Sequence, residues 1–308
     1  MFLIKNGFIP SVIFYIPEKF KIKIQGVEEE KINSNYADLT QIAKKYNIPY
    51  HEVNSVNGKR LKDYKEIIKN LNLDLFLVLG WYYMISKEIR SLAKYGAWGI
   101  HASLLPKYAG GAPLVWAMIN GEKETGVTLF RMEDGVDDGD IIAQKSFDID
   151  FNDTIKDVYD KATITSKDIL LNTLKNIENI NFTPQDKSKI EVFPQRNPSD
   201  GMINWYDTAL NIYNFIRAQT LPYPCAFSIV DDINIKIISA NITDIKNDNY
   251  KNGEIVLFDN KTFIATKDSL LKIGDVYVEG RRVKFQDFAR AKRLWGGYSR
   301  AKSFKMVA

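Results

Sequence analysis

LDLFLVLGW, residues 73–81, is the most strand-like run of the chain and decides its fold class. A short apolar run closed by glycine is typical of a strand that is buried on both faces of a sheet. Upstream of it, strand-like segments at 11–16 and 48–53 alternate with helix-like segments at 36–46 and 63–71. This alternation predicts an α/β fold with a mostly parallel sheet and helices on both of its faces.

Upstream of this strand we expect a loop and, after it, the start of a helix. The segment 17–34, PEKFKIKIQGVEEEKINS, is dense in Lys and Glu, and we expect an exposed loop there. Asn35 follows it and is expected to cap the helix at 36–46, because its side chain can accept a hydrogen bond from the first turn.

The C-terminal part of the chain has a different pattern. The pattern at 152–180 predicts one long helix or two. A segment rich in Pro, Asp and Ser follows it. We interpret 1–183 as a first domain, 184–200 as a linker and 201–308 as a second domain that begins with a helix. Short strands separated by turn signals predict a small β-barrel there. These strands are expected at 226–230, 233–240, 254–258, 262–266 and 270–277.

The composition limits the classes of protein to consider. A net charge of +4 permits an anionic small molecule or a nucleic acid as partner without requiring either. The single cysteine, Cys225, excludes an internal disulfide framework, and its place in LPYPCAF favours core packing over a nucleophile. No apolar run approaches the ~20 residues that span a bilayer. We therefore expect a cytoplasmic protein without a membrane partner.

The residues that can carry chemistry concentrate between Trp98 and Gln144. His101 can take or give a proton near neutral pH, and a carboxylate can orient its ring. With His51 as the only other histidine, the ligand set for zinc is poor; no metal is expected, and a hard-cation site built of carboxylates alone stays open. An acidic turn follows His101 in the chain, with carboxylates at Asp134, Asp137, Asp138 and Asp140.

Four blocks of this region, SLLPKY, GAP at 111–113, INGEKETGVTLF and GVDDGDIIAQ, resemble the formyltransferase family that uses 10-formyltetrahydrofolate. The resemblance runs from about residue 7 to about residue 205 and is fainter beyond. It implies a Rossmann-like catalytic domain, an open, oligonucleotide-binding-like barrel after it, and 10-formyltetrahydrofolate as co-substrate. It is also compatible with a homodimer.

The resemblance also assigns roles to residues. His101 and Asp137 would be catalytic. The loop after the strand at 73–81 would line the folate, in agreement with the rule that ligands bind at the carboxyl ends of parallel strands; its aromatic residues could also simply cap the sheet. The residues implied to bind the co-substrate are Trp81, Tyr82, Tyr83, Met84, Leu105, Gly135, Val136 and Asp138, and those implied to bind the amine substrate are Ser103, Lys107 and Gly111.

This chain departs from the family pattern at three places. The Asn of the family's Asn-x-His pair is Gly99, and the Arg that usually follows Lys-Tyr is Ala109. The family has a strand, a glycine turn and a helix before the segment that resembles residues 5–16. Here FLIKNGF, residues 2–8, looks like the last turn of that helix. Either the family's first strand is missing from this sequence, or residues 1–5 take another role.

Three functions remain open at this stage. The first is formylation of an amino sugar on a nucleotide carrier, since the segment after Pro17 lacks the Arg/Gly-rich insertion of the tRNA-specific enzymes. The second is methionyl-tRNA formylation, favoured by the barrel and by the basic tail. The third is folate binding without catalysis, suggested by Gly99; a hydrolase that releases formate is a minor alternative.

The tail could contact tRNA, contact a nucleotide diphosphate or form a solvated face. Its basic residues are Arg281, Arg282, Lys284, Arg290, Lys292, Arg293, Arg300 and Lys302.

Overall fold

The computed structural model describes residues 1–24, 27–32, 36–54 and 58–292. The chain divides into two compact units, and each is described by itself. The first unit contains Met1–His101, Val127–Lys145 and Ser166–Ile190, and the second contains Ala102–Gly126, Ser146–Thr165 and the residues from Glu191 onward.

Parallel strand pairs form the framework of the first unit. Strand β1 (Ile13–Tyr15) pairs in parallel with β4 (Tyr50–Glu52). Strand β5 (Phe76–Val78) pairs in parallel with β6 (Ala97–His101), in a sheet of order β5-β6-β8-β9. The parallel α/β framework predicted from residues 73–81 is thus confirmed. In the same sheet β6 runs antiparallel to β8, and the two remaining strands are β8 (Glu124–Arg131) and β9 (Ile141–Asp148).

Short helices accompany these strands. The first four residues of the segment expected to be a helix end do form a helical turn. A small core is shared by strands and helices, because Ile68, Ile85 and Ile89 are buried and residues of β1 and β5 pack against them. Helix bounds are α1 (Phe2–Lys5), α2 (Leu39–Lys45), α3 (Lys65–Asn70), α4 (Lys87–Arg90), α5 (Pro113–Ile119) and α6 (Ile155–Lys175). The region 152–180 therefore contains one long α-helix, α6.

The loop expected at 17–34 is wrong: the segment forms a β-hairpin. Strands β2 (Lys19–Ile24) and β3 (Val27–Ile32) pair antiparallel. The alternation KFKIKI has the period of a strand, which the high charge content obscured. Phe20 is 1% exposed. Its ring lies 4.8 Å from that of Tyr82, between centroids, so the hairpin packs on the loop that follows β5.

Helix α2 begins later than expected and uses another cap. Its N-cap is Asp38, whose carboxylate accepts a hydrogen bond from Thr40 N at 3.0 Å. Aspartate is as good a cap as asparagine for the same reason, since its side-chain oxygen accepts from the first turn. The expected cap, Asn35, lies outside the described residues.

In the second unit, two four-stranded antiparallel sheets follow a short helix. Helix α7 (Ala209–Arg217) is capped by Thr208. The sheet orders are β11-β12-β17-β18 and β13-β16-β15-β14, and both sheets contribute to one hydrophobic core. The strands are β11 (Ala226–Val230), β12 (Ile233–Ile237), β13 (Ala240–Asn241), β14 (Ile255–Phe258), β15 (Lys261–Ala265), β16 (Leu270–Ile273), β17 (Asp275–Val278) and β18 (Arg281–Lys284).

These antiparallel strands agree with the small C-terminal β-domain that was expected as a barrel, with two differences. The expected strands at 233–240 and 270–277 each divide into two, the second at Gly274. The start of the basic tail is also part of the fold, since β18 is followed by helix α8 (Phe285–Ala291). Phe285 is 0% exposed, because α8 turns its aromatic side chains into the core.

The segment expected to be a linker is ordered within both units. Strand β10 (Val192–Phe193) pairs in parallel with β7 (Ala109–Gly110) in the second unit. The domain bounds proposed from the sequence stay a prediction. None of the described helices is long and apolar enough to cross a membrane.

Candidate active site

His101 is the last residue of β6, at the carboxyl end of a parallel strand. It is 8% exposed. Thr128 of β8 lies directly opposite in the antiparallel pairing. Residues opposite each other in such a pair have their side chains on the same face of the sheet. A short strand end therefore places the imidazole on one face of the sheet, in a mostly buried position.

The acidic turn brings a carboxylate to this imidazole. Nδ1 of His101 lies 3.3 Å from Oδ2 of Asp137. Asp137 has a φ of +51°, a left-handed conformation that Asp tolerates better than most residues. A carboxylate at Nδ1 favours the neutral tautomer with its proton on that nitrogen, so that Nε2 can accept a proton. The pairing of His101 with Asp137 expected from the sequence is present.

The turn is held against its own sheet by close backbone contacts. A Cβ at Gly139 would lie 1.7 Å from the main-chain oxygen of Arg131, so that no other residue fits there without moving the turn. Gln185 reaches the same turn from the far side. Its Nε2 donates to the main-chain oxygens of Asp137, at 2.8 Å, and of Gly139, at 2.6 Å.

Sequence reasoning missed Gln185, because it lies in the segment interpreted as a linker. It is 8% exposed. Forty-eight residues separate it from Asp137, and no local pattern reveals a contact of that range. The sequence around Gln185 gives no signal of this contact, because Gln residues are common in exposed segments.

A second residue missed from the sequence, Arg90, ties the turn to the loop that follows β5. Its Nη1 donates to the main-chain oxygen of Ile85 at 2.6 Å, and its Nη2 pairs with Oδ1 of Asp134 at 2.5 Å. The Arg90 side chain is 7% exposed. This guanidinium holds the pKa of Asp134 below its ordinary value. Asp134 is therefore more than a turn former.

The loop after β5 offers both exposed surface and an unmet hydrogen bond. Tyr82 and Met84 are 53% and 77% exposed. Tyr83 instead donates its hydroxyl to the main-chain oxygen of Lys21, at 3.1 Å, and so supports the hairpin. Within the described part of the chain, the buried indole nitrogen of Trp81 donates to no acceptor. Buried donors are normally satisfied, so a ligand or water is expected at this nitrogen.

The turn has a matching acceptor. Asp138 uses Oδ2 for Lys187 Nζ, at 3.1 Å, while its buried Oδ1 has no hydrogen-bond partner among the described residues. Gly135 leaves room for this carboxylate, because a Cβ there would lie 2.4 Å from Oδ2. Val136, beside it, is 50% exposed.

Among the described residues no group of three or more His, Cys, Asp and Glu side chains could hold a metal ion. The second histidine of the chain, His51, is instead stacked in an aromatic cluster. Its ring centroid lies 5.6 Å from that of Phe14 and 4.9 Å from that of Tyr64.

Comparison with known proteins gives the arrangement its context. The formyl transferase family model matches residues 3–174, and the model of the formyl transferase C-terminal domain matches residues 196–293. The chain belongs to the formyl transferase family.

Members of this family with different substrates are similar to this chain. The methionyl-tRNA formyltransferase of Caldicellulosiruptor saccharolyticus is 31% identical over 290 residues, 91% of either chain. The bifunctional polymyxin resistance protein ArnA of Wigglesworthia glossinidia brevipalpis is 36% identical over 274 residues, which are 88% of this chain but 39% of that protein.

Among solved structures, the N-formyltransferase of Helicobacter canadensis in complex with folinic acid and dTDP-3-aminofucose has the same fold. Its TM-score is 0.61 at 24% identity, and the match covers 90% of this chain and 93% of that one. The family assignment makes this protein an enzyme of formyl transfer, while relatives with tRNA and sugar substrates leave the acceptor open.

Gly99, where the formyl transferase pattern has Asn, lies under an aromatic ring. A Cβ built on Gly99 would lie 3.0 Å from Cε1 of Phe130 and 3.4 Å from Cγ of Met132. Phe130 is 4% exposed and faces Gly99 across the strand pair. The volume that a side chain at residue 99 would need is thus filled by Phe130. The loss of the Asn is built into the packing of the sheet.

The remaining predicted site residues belong to the second unit. Ser103 is fully buried and donates its hydroxyl to the main-chain oxygen of Lys107 at 2.6 Å, which closes the loop between them. Leu105 is 3% exposed, whereas Lys107 is exposed. A Cβ at Gly111 would lie 2.5 Å from the backbone of Gln195, so this glycine permits a close approach of two segments. Their roles in binding stay predictions.

Proposed function

We propose that this enzyme transfers the formyl group of 10-formyltetrahydrofolate to the primary amine of a sugar carried on a nucleotide. The 3.3 Å approach of Asp137 Oδ2 to His101 Nδ1 at the carboxyl end of β6 carries the formyl-transfer part of the proposal. The sugar acceptor is favoured because the segment after Pro17 lacks the Arg/Gly-rich insertion of the tRNA-specific enzymes. The loop of Trp81 and the turn of Asp138 would bind the folate, and the unmet donor and acceptor described above support that assignment.

The chemistry follows from this pair. The amine nitrogen attacks the formyl carbon, and the carbonyl oxygen becomes an oxyanion. His101 accepts the proton that the amine loses, through Nε2, while Asp137 stabilises the resulting imidazolium. The imidazolium is then a cation next to the oxyanion and can return the proton to the leaving folate nitrogen. Collapse of the intermediate breaks the bond between that nitrogen and the formyl carbon.

This chain lacks one oxyanion donor of the family, the Asn amide at the position of Gly99. Removal of a single oxyanion donor typically costs about 10²–10³ in rate. With Gly99 in place of Asn, His101 is the remaining donor from β6 itself, and we expect slow turnover compared with enzymes that keep the amide. Turnover without the amide would distinguish this enzyme from a protein that only binds folate.

Methionyl-tRNA is the second candidate acceptor, favoured by relatives of nearly equal length. Among the described basic residues of the tail, Arg282 and Lys284 share a single counter-charge, Asp275, at 2.5 and 2.6 Å. Arg281, Arg290 and Lys292 are exposed. Arg293, Arg300 and Lys302 lie outside the described residues. A cytoplasmic location is part of the proposal, and the homodimer stays a prediction.

Turnover with each acceptor tests the proposal. The enzyme is incubated with 10-formyltetrahydrofolate and either nucleotide-linked amino sugars or initiator methionyl-tRNA, and the formylated product is measured by mass. His101→Asn should lower kcat by about 10²–10⁴, the usual contribution of general base catalysis. His51→Asn is the matched control and should keep the activity. If formyl-methionyl-tRNA is the only product, the acceptor is methionyl-tRNA and not a sugar. If the protein binds folate but forms no product, it is a folate-binding protein without catalysis.

A further inference from the structure

A cavity that lies entirely within the second unit has no role in the proposed reaction. Its volume is about 420 Å³, which is in the range of small-molecule sites. Tyr213, Arg217 and Thr220, from the end of α7 and the turn after it, form a buried floor. Asn152, Ser239 and Asn241 form an exposed rim.

Arg217 has an unusual environment for a buried cation. It is 7% exposed. Its Nε donates to Oδ1 of Asn214 at 2.9 Å, and its Nη1 donates to the main-chain oxygens of Asp150 and Asp153, at 3.1 and 2.9 Å. All three acceptors are neutral. Burial lowers the pKa of Arg217 from its ordinary value, but a guanidinium stays charged at neutral pH.

No carboxylate within the described ranges forms an ion pair with Arg217, and Nη2 has no acceptor there. Asp153, whose main-chain oxygen accepts from Nη1, directs its carboxylate at Lys161 Nζ, 2.7 Å away. A buried charge without a counter-charge is costly, and the cost is offset when an anion binds. The floor of the cavity thus presents a guanidinium without an ion-pair partner among the described residues.

The rim adds neutral donors to this charge. Ser239 Oγ accepts a hydrogen bond from Asp275 N at 3.0 Å, which leaves its hydroxyl proton for another acceptor. Asn152 accepts from the Tyr213 hydroxyl through Oδ1, so that its amide nitrogen can donate. Asn241 forms no hydrogen bond through its side chain within the described chain. Side-chain donors around one guanidinium match the three oxygens of a phosphate group.

We infer that this cavity binds the phosphate group of a small phosphorylated metabolite, with Arg217 as its charged partner and Ser239, Asn152 and Asn241 as neutral donors. The inference rests on the second unit alone and is independent of the proposed formyl acceptor. It gives this chain a second, non-catalytic anion site.

Inorganic phosphate is the probe that tests it. Thermal unfolding of the full chain is followed against phosphate concentration at constant ionic strength, with chloride as the balancing anion. Saturable binding should raise Tm by about 2–6 °C at ten times the Kd. Acetate at the same concentration should give at most a small shift, whereas sulfate should resemble phosphate.

Two variants and two controls locate the effect. Arg217→Gln removes the charge, and Asn241→Asp adds a repelling charge at an exposed rim position without touching the hydrogen bonds of Arg217. Both should weaken phosphate binding by tenfold or more. The controls are Asn234→Asp, the same change on the exposed side of β12, and Arg196→Gln, at a half-buried arginine of this unit that does not line the cavity.

The result that overturns the inference is equally clear. If the wild type shows no saturable shift, or if Asn241→Asp responds to phosphate as Asn234→Asp does, the cavity is not a phosphate site. Because Asn241 is exposed, this variant keeps the test valid even if Arg217→Gln fails to fold.

Discussion

Gln185 holds the backbone of Asp137, the carboxylate that faces the imidazole of His101. One amide nitrogen donates to two main-chain oxygens of the turn, at 2.8 Å to Asp137 and at 2.6 Å to Gly139. Under the proposed mechanism, this amide would keep the left-handed Asp137 within reach of the imidazole that it orients, without touching a reacting atom itself. It is a positioning residue.

Replacement of Gln185 by Leu should reduce both stability and turnover. Two buried carbonyl oxygens lose their donor, which should cost about 1–3 kcal/mol of unfolding free energy. Because Asp137 is then held less firmly, kcat should fall by about tenfold, equivalent to ~1.4 kcal/mol of activation free energy. KM should stay within twofold. Urea unfolding and steady-state kinetics measure the two effects.

Gln286→Leu is the control for this variant, since it removes one amide bond to a main-chain oxygen of the second unit. It should leave kcat unchanged. If Gln185→Leu lowers stability but keeps full kcat, Gln185 supports only the fold.

The sequence predicts different parts of this site with different success. A resemblance in several blocks predicts the roles of His101 and Asp137, whose side chains do lie close together, and the strand end that positions His101 follows from local patterns. Gln185 and Arg90 were not found, because each acts through contacts with residues more than forty positions away. The hairpin at 19–32 is hidden for another reason: the many charged residues of this segment obscure the alternation of apolar residues in KFKIKI.

A polar side chain at residue 99 should be tolerated only when Phe130 becomes smaller. Gly99→Asn alone forces atoms against the Phe130 ring, and overpacking of this kind costs about 1–3 kcal/mol. In Gly99→Asn/Phe130→Ala the clash is relieved, so the double variant should be more stable than the sum of the single effects by about 0.5–3 kcal/mol. A double-mutant cycle in urea measures this coupling.

The same double variant should also recover an oxyanion donor, so its kcat should exceed that of Phe130→Ala. Gly99→Ala/Phe130→Ala has the volume of a side chain but no amide and serves as the control. Strict additivity of the two substitutions would show that the close contact between residues 99 and 130 carries no energy.

Cys225 should behave as a core residue. It is 4% exposed, and burial raises the pKa of its thiol. The native protein should react with a chromogenic disulfide reagent at pH 8 at least 10²-fold more slowly than the unfolded chain, since only the thiolate attacks. A rate like that of the urea-unfolded protein would mean that the thiol is accessible.

The thiol of Cys225 also affects the pH dependence of stability. Because its pKa is raised in the folded state, its contribution to stability is present below the unfolded pKa of ~8.5 and declines as the pH rises above it.

The Arg90–Asp134 pair should make stability depend on pH in the acid range. Its partner lowers the pKa of Asp134 in the folded state, so the stabilisation is present above the unfolded value of ~3.9 and is lost as the pH falls through the lower, folded pKa. Asp134→Asn leaves the buried guanidinium of Arg90 without its carboxylate and should lower Tm between pH 5 and 7. The difference from the wild type should begin to shrink below about pH 4, where the unfolded wild-type carboxyl takes up its proton, and should be lost below the lower, folded pKa. Asp74→Asn, at an exposed aspartate of the same unit, should change Tm little at any pH. A Tm difference for Asp134→Asn that stayed constant from pH 7 down to pH 3 would contradict an ionic origin.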